Sequence, residues 1–269
     1  MNIIVMDLEW NQSPVAKKDR SSDKPIFEII EIGAVKLNEQ YEIIDNFSQL
    51  INPQIYQTMH RITADLIHLQ MNELRKGKDF TTVIAEFLKW CGEDYIFATW
   101  GPLDLLELQR NIKYYDLEPL SDQPIKFYDV QKLFSLGIMK DKTRKTLEFA
   151  IDYFNIEKDI PFHRAYSDAY YTAKVFKMIG NPDILQFVSF DTFNIPKSRK
   201  EEIKILFPGY FKYISHGFDV KSDVMGDREV TSTKCYLCHK NLKKKIRWYS
   251  PNSKNYYSVS YCDIHGYIK

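Results

Sequence analysis

The seven residues Ile3-Ile4-Val5-Met6-Asp7-Leu8-Glu9 constrain this chain more than any other stretch. A short apolar run of this kind reads as a buried strand, and this one turns acidic at its far end. Strand side chains alternate, so Asp7 and Glu9 point to the same side of one sheet. Two carboxylates packed together without a counter-charge repel, so one takes up a proton or the pair holds a cation. Hard oxygen ligands favour magnesium or manganese over zinc. An Asp-x-Glu standing alone also fits a solvated strand end, so residues further along the chain must decide between the two.

At 269 residues, with 44% hydrophobic and 14% aromatic content, the chain can bury one substantial core and carry a small appendage. A formal net charge of +1 supplies no global field for nucleic acid, so such affinity must come from local basic patches. The N-terminus runs directly into the first strand without a basic, apolar, small-residue leader, and no apolar run approaches membrane-spanning length. A cytoplasmic location with no membrane partner is therefore expected. Cys91 stands inside an apolar helical pattern, as a packed free thiol would. The other three cysteines cluster near the C-terminus, where metal binding is expected over a disulfide framework.

Asn11 to Lys24 is polar, with Lys17, Lys18 and Arg20 close together, and reads as a loop. Strands come next at Phe27–Val35 and Ile43–Ile51, the last ended by Asn52-Pro53, and the short connections predict an antiparallel meander. Ile62–Leu74 is weakly helical, whereas Asp79–Cys91 carries Val83, Ile84, Phe87, Leu88 and Cys91 at the spacing of a buried stripe. Strands Tyr95–Thr99 and Ile125–Tyr128 then alternate with helices Leu103–Tyr115, Thr146–Phe154 and Ala165–Ile179. The expected fold is α/β, a mixed sheet with helices on both faces. Past Gly180-Asn181-Pro182 the composition shifts: Asp183–Tyr213 is ambiguous in type and Ser215–Thr233 reads as a linker. The expected division is 1–180 as the main domain, 181–230 as extension and linker, and 231–269 as a separate unit.

Two further acids stand at informative places. In Trp100-Gly101-Pro102-Leu103-Asp104 a helix starts at about the proline, and Asp104 in its first turn suits the helix dipole. Asp168 borders the packed face that Ala169, Thr172, Ala173 and Phe176 give the helix at Ala165–Ile179, and a carboxylate there needs a partner. His163 stands five residues earlier, in the loop entering that helix. Asp7-x-Glu9, Trp100-Gly101-x-x-Asp104 and His163-x-x-x-x-Asp168, in this order, resemble the signature of the DEDDh 3′→5′ exonucleases, which have a ribonuclease H-like fold. The resemblance runs from about Asn2 to Ile179 and takes in Ile29–Val35 and Lys145-Thr146-Leu147. Trp10-Asn11-Gln12 and the Trp-Gly-x-x-Asp form are most similar to Eri-type RNA exonucleases and the bacterial KapD-like proteins. Both depart from the proofreading-polymerase pattern, which more often has His-Asn near Trp100, and this tilts the substrate from DNA towards RNA.

The resemblance implies two Mg2+ or Mn2+ ions. Asp7, Glu9 and Asp168 would hold one, and Asp7 would reach a second that Asp104 supports through water, for an in-line displacement. The attacking water must lose a proton, which a side chain of a type that ordinarily titrates near neutrality does best, and His163, in a loop, is the expected base. The partner is then nucleic acid with a free 3′ end, single-stranded RNA slightly favoured over DNA, and the products are nucleoside 5′-monophosphates. Leu8 and Trp10 either wedge against terminal bases or belong to the core. Lys140, Lys142, Arg144 and Lys145 either bind phosphates or form a solvated loop.

Cys235-x-x-Cys238 and Cys262-x-x-His265 fit a tetrahedral Cys3His zinc site, and the unit resembles a zinc ribbon. His239 is an alternative ligand, awkwardly placed directly after Cys238. Lys244–Tyr249 and Tyr256–Tyr261 read as paired strands joined through Pro251-Asn252-Ser253, and one structural zinc would largely replace a core. Lys234, Lys240, Lys243, Lys244, Lys245, Arg247 and Lys254, interleaved with Trp248, Tyr249, Tyr256 and Tyr257, suit single-stranded nucleic acid. A structural cap, packed on the main domain or forming a homo-oligomer, is the other reading. For the whole chain the alternative to an exonuclease is an inactive nucleic-acid-binding or scaffolding protein on the same fold. Such a copy would be expected to lack an acid or the histidine, and none is missing here.

Overall fold

The N-terminal apolar segments form β1 (Asn2–Gln12), β2 (Phe27–Leu37) and β3 (Ile43–Leu50), paired antiparallel as a meander. The computed structural model describes residues 1–12, 24–67, 69–250 and 255–269. The expected loop with Lys17, Lys18 and Arg20 and the turn at Pro251-Asn252-Ser253 with Lys254 lie outside the described residues. After β3 come α1 (Arg61–Ile67), α2 (Met71–Leu74), α3 (Phe80–Cys91), β4 (Tyr95–Thr99), α4 (Leu103–Tyr114) and β5 (Ile125–Asp129). The chain continues through α5 (Val130–Leu133), a π-helical turn (Phe134–Ile138), α6 (Leu147–Tyr153), α7 (Ala165–Ile179), α8 (Pro182–Leu185) and β6 (Ser189–Asp191). The six strands lie in the order β3-β2-β1-β4-β5-β6, with β1, β4 and β5 parallel and the remaining pairings antiparallel.

Strand β1 is central, and its apolar run is explained by burial on both faces. Ile3 and Val5 pack with Tyr171, Val175 and Phe176 of α7, while Ile4, Met6 and Leu8 pack with Phe87 of α3 and Leu105 and Leu108 of α4. Alternation therefore sends Asp7 and Glu9 to the α7 side. The helices start where local chemistry dictates: Asp79 caps α3 by accepting from the Thr82 N–H at 2.8 Å, and Thr146 caps α6 by accepting from the Phe149 N–H at 3.2 Å. The weak helix expected over Ile62–Leu74 is split in two, because Leu69 turns inward to join Ile30, Ile67 and Leu74.

Contacts divide the chain into two units, Met1–Leu120 with Ile125–Phe193, and Ser121–Pro124 with Asn194–Lys269. By these contacts the first unit runs to Phe193, apart from Ser121–Pro124. Strand β6 belongs to the first unit because it pairs with β5, Ser189 opposite Phe127. The second unit contains β7 (Ile203–Phe207), β8 (Tyr210–Ile214), α9 (Lys221–Gly226), β9 (Lys243–Tyr249), β10 (Tyr257–Cys262) and β11 (Gly266–Ile268). Its sheet order is β7-β8-β11-β10-β9, so a hairpin from the ambiguous stretch joins the tail by parallel pairing of β8 with β11. The expected linker Ser215–Thr233 holds α9 and is tied down by Arg199, which pairs with Asp227 at 2.5 Å and Glu229 at 2.9 Å.

Candidate active site and metal cluster

Asp7 and Glu9 end β1 beside α7, and what sets the distance to α7 is Gly33 on β2, directly opposite Asp7. A Cβ on Gly33 would lie 2.0 Å from the backbone of Ala165 and Tyr166, so the first turn of α7 rests on bare strand backbone. A second tie is the Arg164 guanidinium, which pairs with both oxygens of the buried Glu31 at 2.9 and 3.0 Å. Strand β2 also carries one extra residue, Ile30, because Glu9 opposes Glu31 while Trp10 opposes Ile29. Bulges of this kind re-aim side chains beside sites.

These constraints bring Asp168 of α7 up to the β1 acids. One carboxylate oxygen from each of Asp7, Glu9 and Asp168 lies within 4.8 Å of the other two. Asp104 arrives from α4 on the other side of the strand. The chain turns sharply after β4 at Gly101, whose φ of +100° favours glycine, and the first turn of α4 then lets Asp104 Oδ1 accept from the Leu8 N–H at 3.2 Å. Asp104 is therefore near the cluster but not within it. His163 has a φ of +65° and is exposed, and it lies near enough to Asp168 to favour that carboxyl's charged form.

All five groups line one cavity of about 330 Å3. Leu8 and Trp10 also line it: Leu8 is 3% exposed and belongs to the core as well, while Trp10 packs 5.3 Å from Phe27. Trp100, Leu103, Leu147 and Ile67 complete the wall. Trp100 and Leu147 carry a signal only as neighbours of the motifs, and Ile67 carries none. Lys142, Arg144 and Lys145 do not line the cavity. Arg144 is committed to Asp129 at 3.3 Å and Gln131 at 2.8 Å, and Lys145 to Asp141 at 3.0 Å. Also absent from the expectations is the Glu31–Arg164 pair, whose members stand 133 residues apart.

The electrostatics show a site short of positive charge. Burial, reinforced by Asp104, Glu9 and Asp168, holds the Asp7 carboxyl well above the usual range. Burial and Asp168 push Glu9 up to about 8, while Arg164 pulls the other way. Burial raises Asp104 to about 7 against the Leu8 hydrogen bond, and raises Asp168 to about 6 against His163. Asp168 Oδ1 is buried without a hydrogen-bond partner. Clustered hard oxygens, an orphaned carboxylate oxygen and carboxyl pKa values raised for want of a counter-charge fit a divalent cation such as Mg2+ or Mn2+.

In the second unit, ligand atoms of Cys235, Cys238, Cys262 and His265 lie within 4.8 Å of one another. Cys235 Sγ is 3.5 Å and Cys262 Sγ 3.7 Å from His265 Nδ1, and the Cys238 and Cys262 sulfurs are 3.6 Å apart. A tetrahedron of ligands about 2.3 Å from its centre has edges of about 3.7 Å, so this set could hold zinc. Burial pushes the Cys262 thiol up, but the backbone N–H groups of His265 and Ile264, together with the His265 and Cys238 side chains, outweigh it and leave the thiol at about 6. His239 lies outside the cluster: its φ of +58° closes the Cys235–Cys238 turn, where its N–H donates to the Cys235 carbonyl at 2.9 Å.

The model of the RNase T exonuclease family matches residues 4–176, which span β1 to α7 and hence all five groups. The chain belongs to the RNase T exonuclease family. Solved structures similar to this exonuclease share its ribonuclease H-like, DEDDh-type fold. One is described as 3′-end specific recognition of histone mRNA stem-loop by a 3′-exonuclease, with 18% identity over 80% of this chain and 90% of that one and a TM-score of 0.56. Another is the nuclease domain of 3′hExo, a DEDDh family member bound to rAMP, with 19% identity over 66% and 90% and a TM-score of 0.55. A third is S. pombe Pop2p in its Mg2+- and Mn2+-bound form, with 20% identity over 66% and 82% and a TM-score of 0.51. No curated protein sequence matches the chain significantly. Among the described residues no helix is long and apolar enough to cross a membrane.

Proposed function

We propose that this exonuclease is a divalent-metal-dependent 3′→5′ enzyme that releases nucleoside 5′-monophosphates from single-stranded ends, RNA favoured over DNA. The observation that carries the reading is the convergence of the Asp7, Glu9 and Asp168 oxygens in a cavity that Asp104 and His163 share. Asp7, Glu9 and Asp168 hold one ion, and Asp7 with Asp104 serves a second. When bound, such ions offset the charge gathering on the scissile phosphate and acidify the attacking water. His163 accepts that water's proton on its imidazole. The water oxygen bonds to phosphorus as the bond to the 3′ oxygen breaks, and the displaced oxygen takes a proton from solvent. Leu8 and Trp10 give the terminal nucleotide an apolar wall. In the second unit, Cys235, Cys238, Cys262 and His265 hold one structural zinc. The RNA preference is supported by the Trp10-Asn11-Gln12 and Trp100-Gly101 motifs.

The test is a labelled single strand incubated with Mg2+ and with Mn2+, its 3′ end free or blocked. Stepwise shortening is expected only from the free end. The His163→Ala change lowers kcat by about 10²- to 10⁴-fold without altering the metal requirement. Internal cuts in a blocked strand, or no shortening with either ion, contradict the reading.

A further inference from the structure

The stretch Lys234–Lys269 carries eight basic side chains and one acid, Asp263, in a chain whose net formal charge is only +1. Strand alternation sorts its aromatic residues. Ser260 and Cys262 of β10 point inward and are buried, with Cys235, Phe211 and Ile268 forming the small core around the metal ligands. Tyr257 and Tyr261 therefore point the other way. Register places Tyr249 of β9 beside Tyr257 and Tyr267 of β11 beside Tyr261. The ring centroids are 5.9 Å apart in the first pair and 5.2 Å in the second. Tyr249 is 50% exposed, Tyr257 44% and Tyr267 47%. Lys245 Nζ lies 5.5 Å over the Tyr261 ring, and Ile246, opposite Val259 in the middle of the row, is also exposed. The metal ligands and the core are satisfied without any of these four rings.

We propose that this outer face of β9, β10 and β11 is a stacking platform for single-stranded nucleic acid. The ring planes are inclined, by 38° in the first pair and 70° in the second, so each exposed ring offers its own face, and separate aromatic faces flanked by cations match unpaired bases joined by phosphates. A duplex would present phosphates to the lysines but no base faces to the tyrosines. An acidic protein would pair with the lysines and leave the rings without a purpose. The inference rests on the proposed function in one respect: the strand held is the substrate of the exonuclease. The platform would retain a strand while its 3′ end is shortened.

The experiment measures binding of a fluorescein-labelled, 3′-blocked 12-nucleotide single strand to the full chain by anisotropy, at several salt concentrations. The double variant Tyr249→Ala/Tyr257→Ala should raise Kd by about 10-fold or more, and Tyr249→Phe/Tyr257→Phe should keep it near the parent value, because stacking needs the ring and not the hydroxyl. Lys243→Gln/Lys245→Gln, the first of which also breaks the Lys243–Asp263 pair at 2.8 Å, should lower the slope of log K against log salt by about 0.7 for each phosphate that no longer meets a lysine. All three should hydrolyse a small diester, thymidine 5′-(p-nitrophenyl phosphate), at the parental kcat. An unchanged Kd in the alanine pair together with an unchanged salt slope in the glutamine pair overturns the platform. So does a change of oligomeric state in the alanine pair by light scattering, which would make the face a contact between copies. A parent chain that binds the strand but shortens no free 3′ end sinks the proposed function and leaves the platform standing.

Discussion

At the scale of single residues, burial sets how the acids of the nuclease unit answer to pH. Asp7, Glu9, Asp104 and Asp168 all hold their protons more tightly folded than unfolded, up to about 8 for Glu9. Unfolded carboxyls titrate near pH ~4, so between about pH 4 and about pH 8 the native state binds more protons than the unfolded one. Stability contributed by these groups is full below that window and falls as pH rises through it. Thermal unfolding without Mg2+ should therefore show Tm dropping from pH 5 to pH 8, and added Mg2+ should restore more Tm at pH 8 than at pH 5, since it binds the deprotonated ligands. A Tm that rises over this range, with no Mg2+ effect, contradicts the charge assignment. That the acids and His163 would share one site was legible in the sequence because the chemistry restricts residue type and the family resemblance supplies their order along the chain. Glu31 and Arg164 were not, since their pairing spans 133 residues and neither residue type is unusual where it stands.

Among the elements, the contact that matters most is α7 laid on β2. Gly33→Ala puts a methyl 2.0 Å from the Ala165 backbone, so α7 must move, and with it Asp168. Overpacking of this kind costs about 1–3 kcal/mol, and an ångström of misplacement can cost about 10²-fold in rate. Strand shortening by Gly33→Ala should fall by roughly that factor in a chain that still folds; parental activity would show that α7 is not positioned there. The strands and α7 were readable because the apolar runs of β1 and β2 are nearly continuous and the 3.6-residue stripe over Ala165–Ile179 is strong. The β7–β8 hairpin was not. Its segments are five residues long, and the strand that seats it, β11, comes more than fifty residues later. The basic run at Lys140–Lys145, which the sequence leaves open between phosphate binding and a solvated loop, is partly paired internally, through Arg144 with Asp129 and Lys145 with Asp141.

For the whole molecule, two units are stabilised by different means. The first has two extended apolar cores, whereas the core of the second is Phe211 and Ile268 around Cys235 and Cys262 themselves. Zinc binding in small units of this kind contributes roughly 10–16 kcal/mol. Cys238→Ser should therefore erase much of the near-ultraviolet tyrosine signal of the second unit, while the far-ultraviolet helix signal, which comes mostly from the first, persists; an unchanged near-ultraviolet spectrum argues against a structural metal. On the proposed function, three carboxylates from β1 and α7 form one cation site. It is tested most directly by titrating the full chain with Mn2+, monitored by electron paramagnetic resonance, beside the near-isosteric Asp168→Asn variant. The account predicts bound Mn2+ in the parent and an affinity lower by at least ~10²-fold in the variant, since loss of an outer-sphere partner alone costs 10- to 100-fold. Equal Mn2+ affinity in the two chains would contradict it.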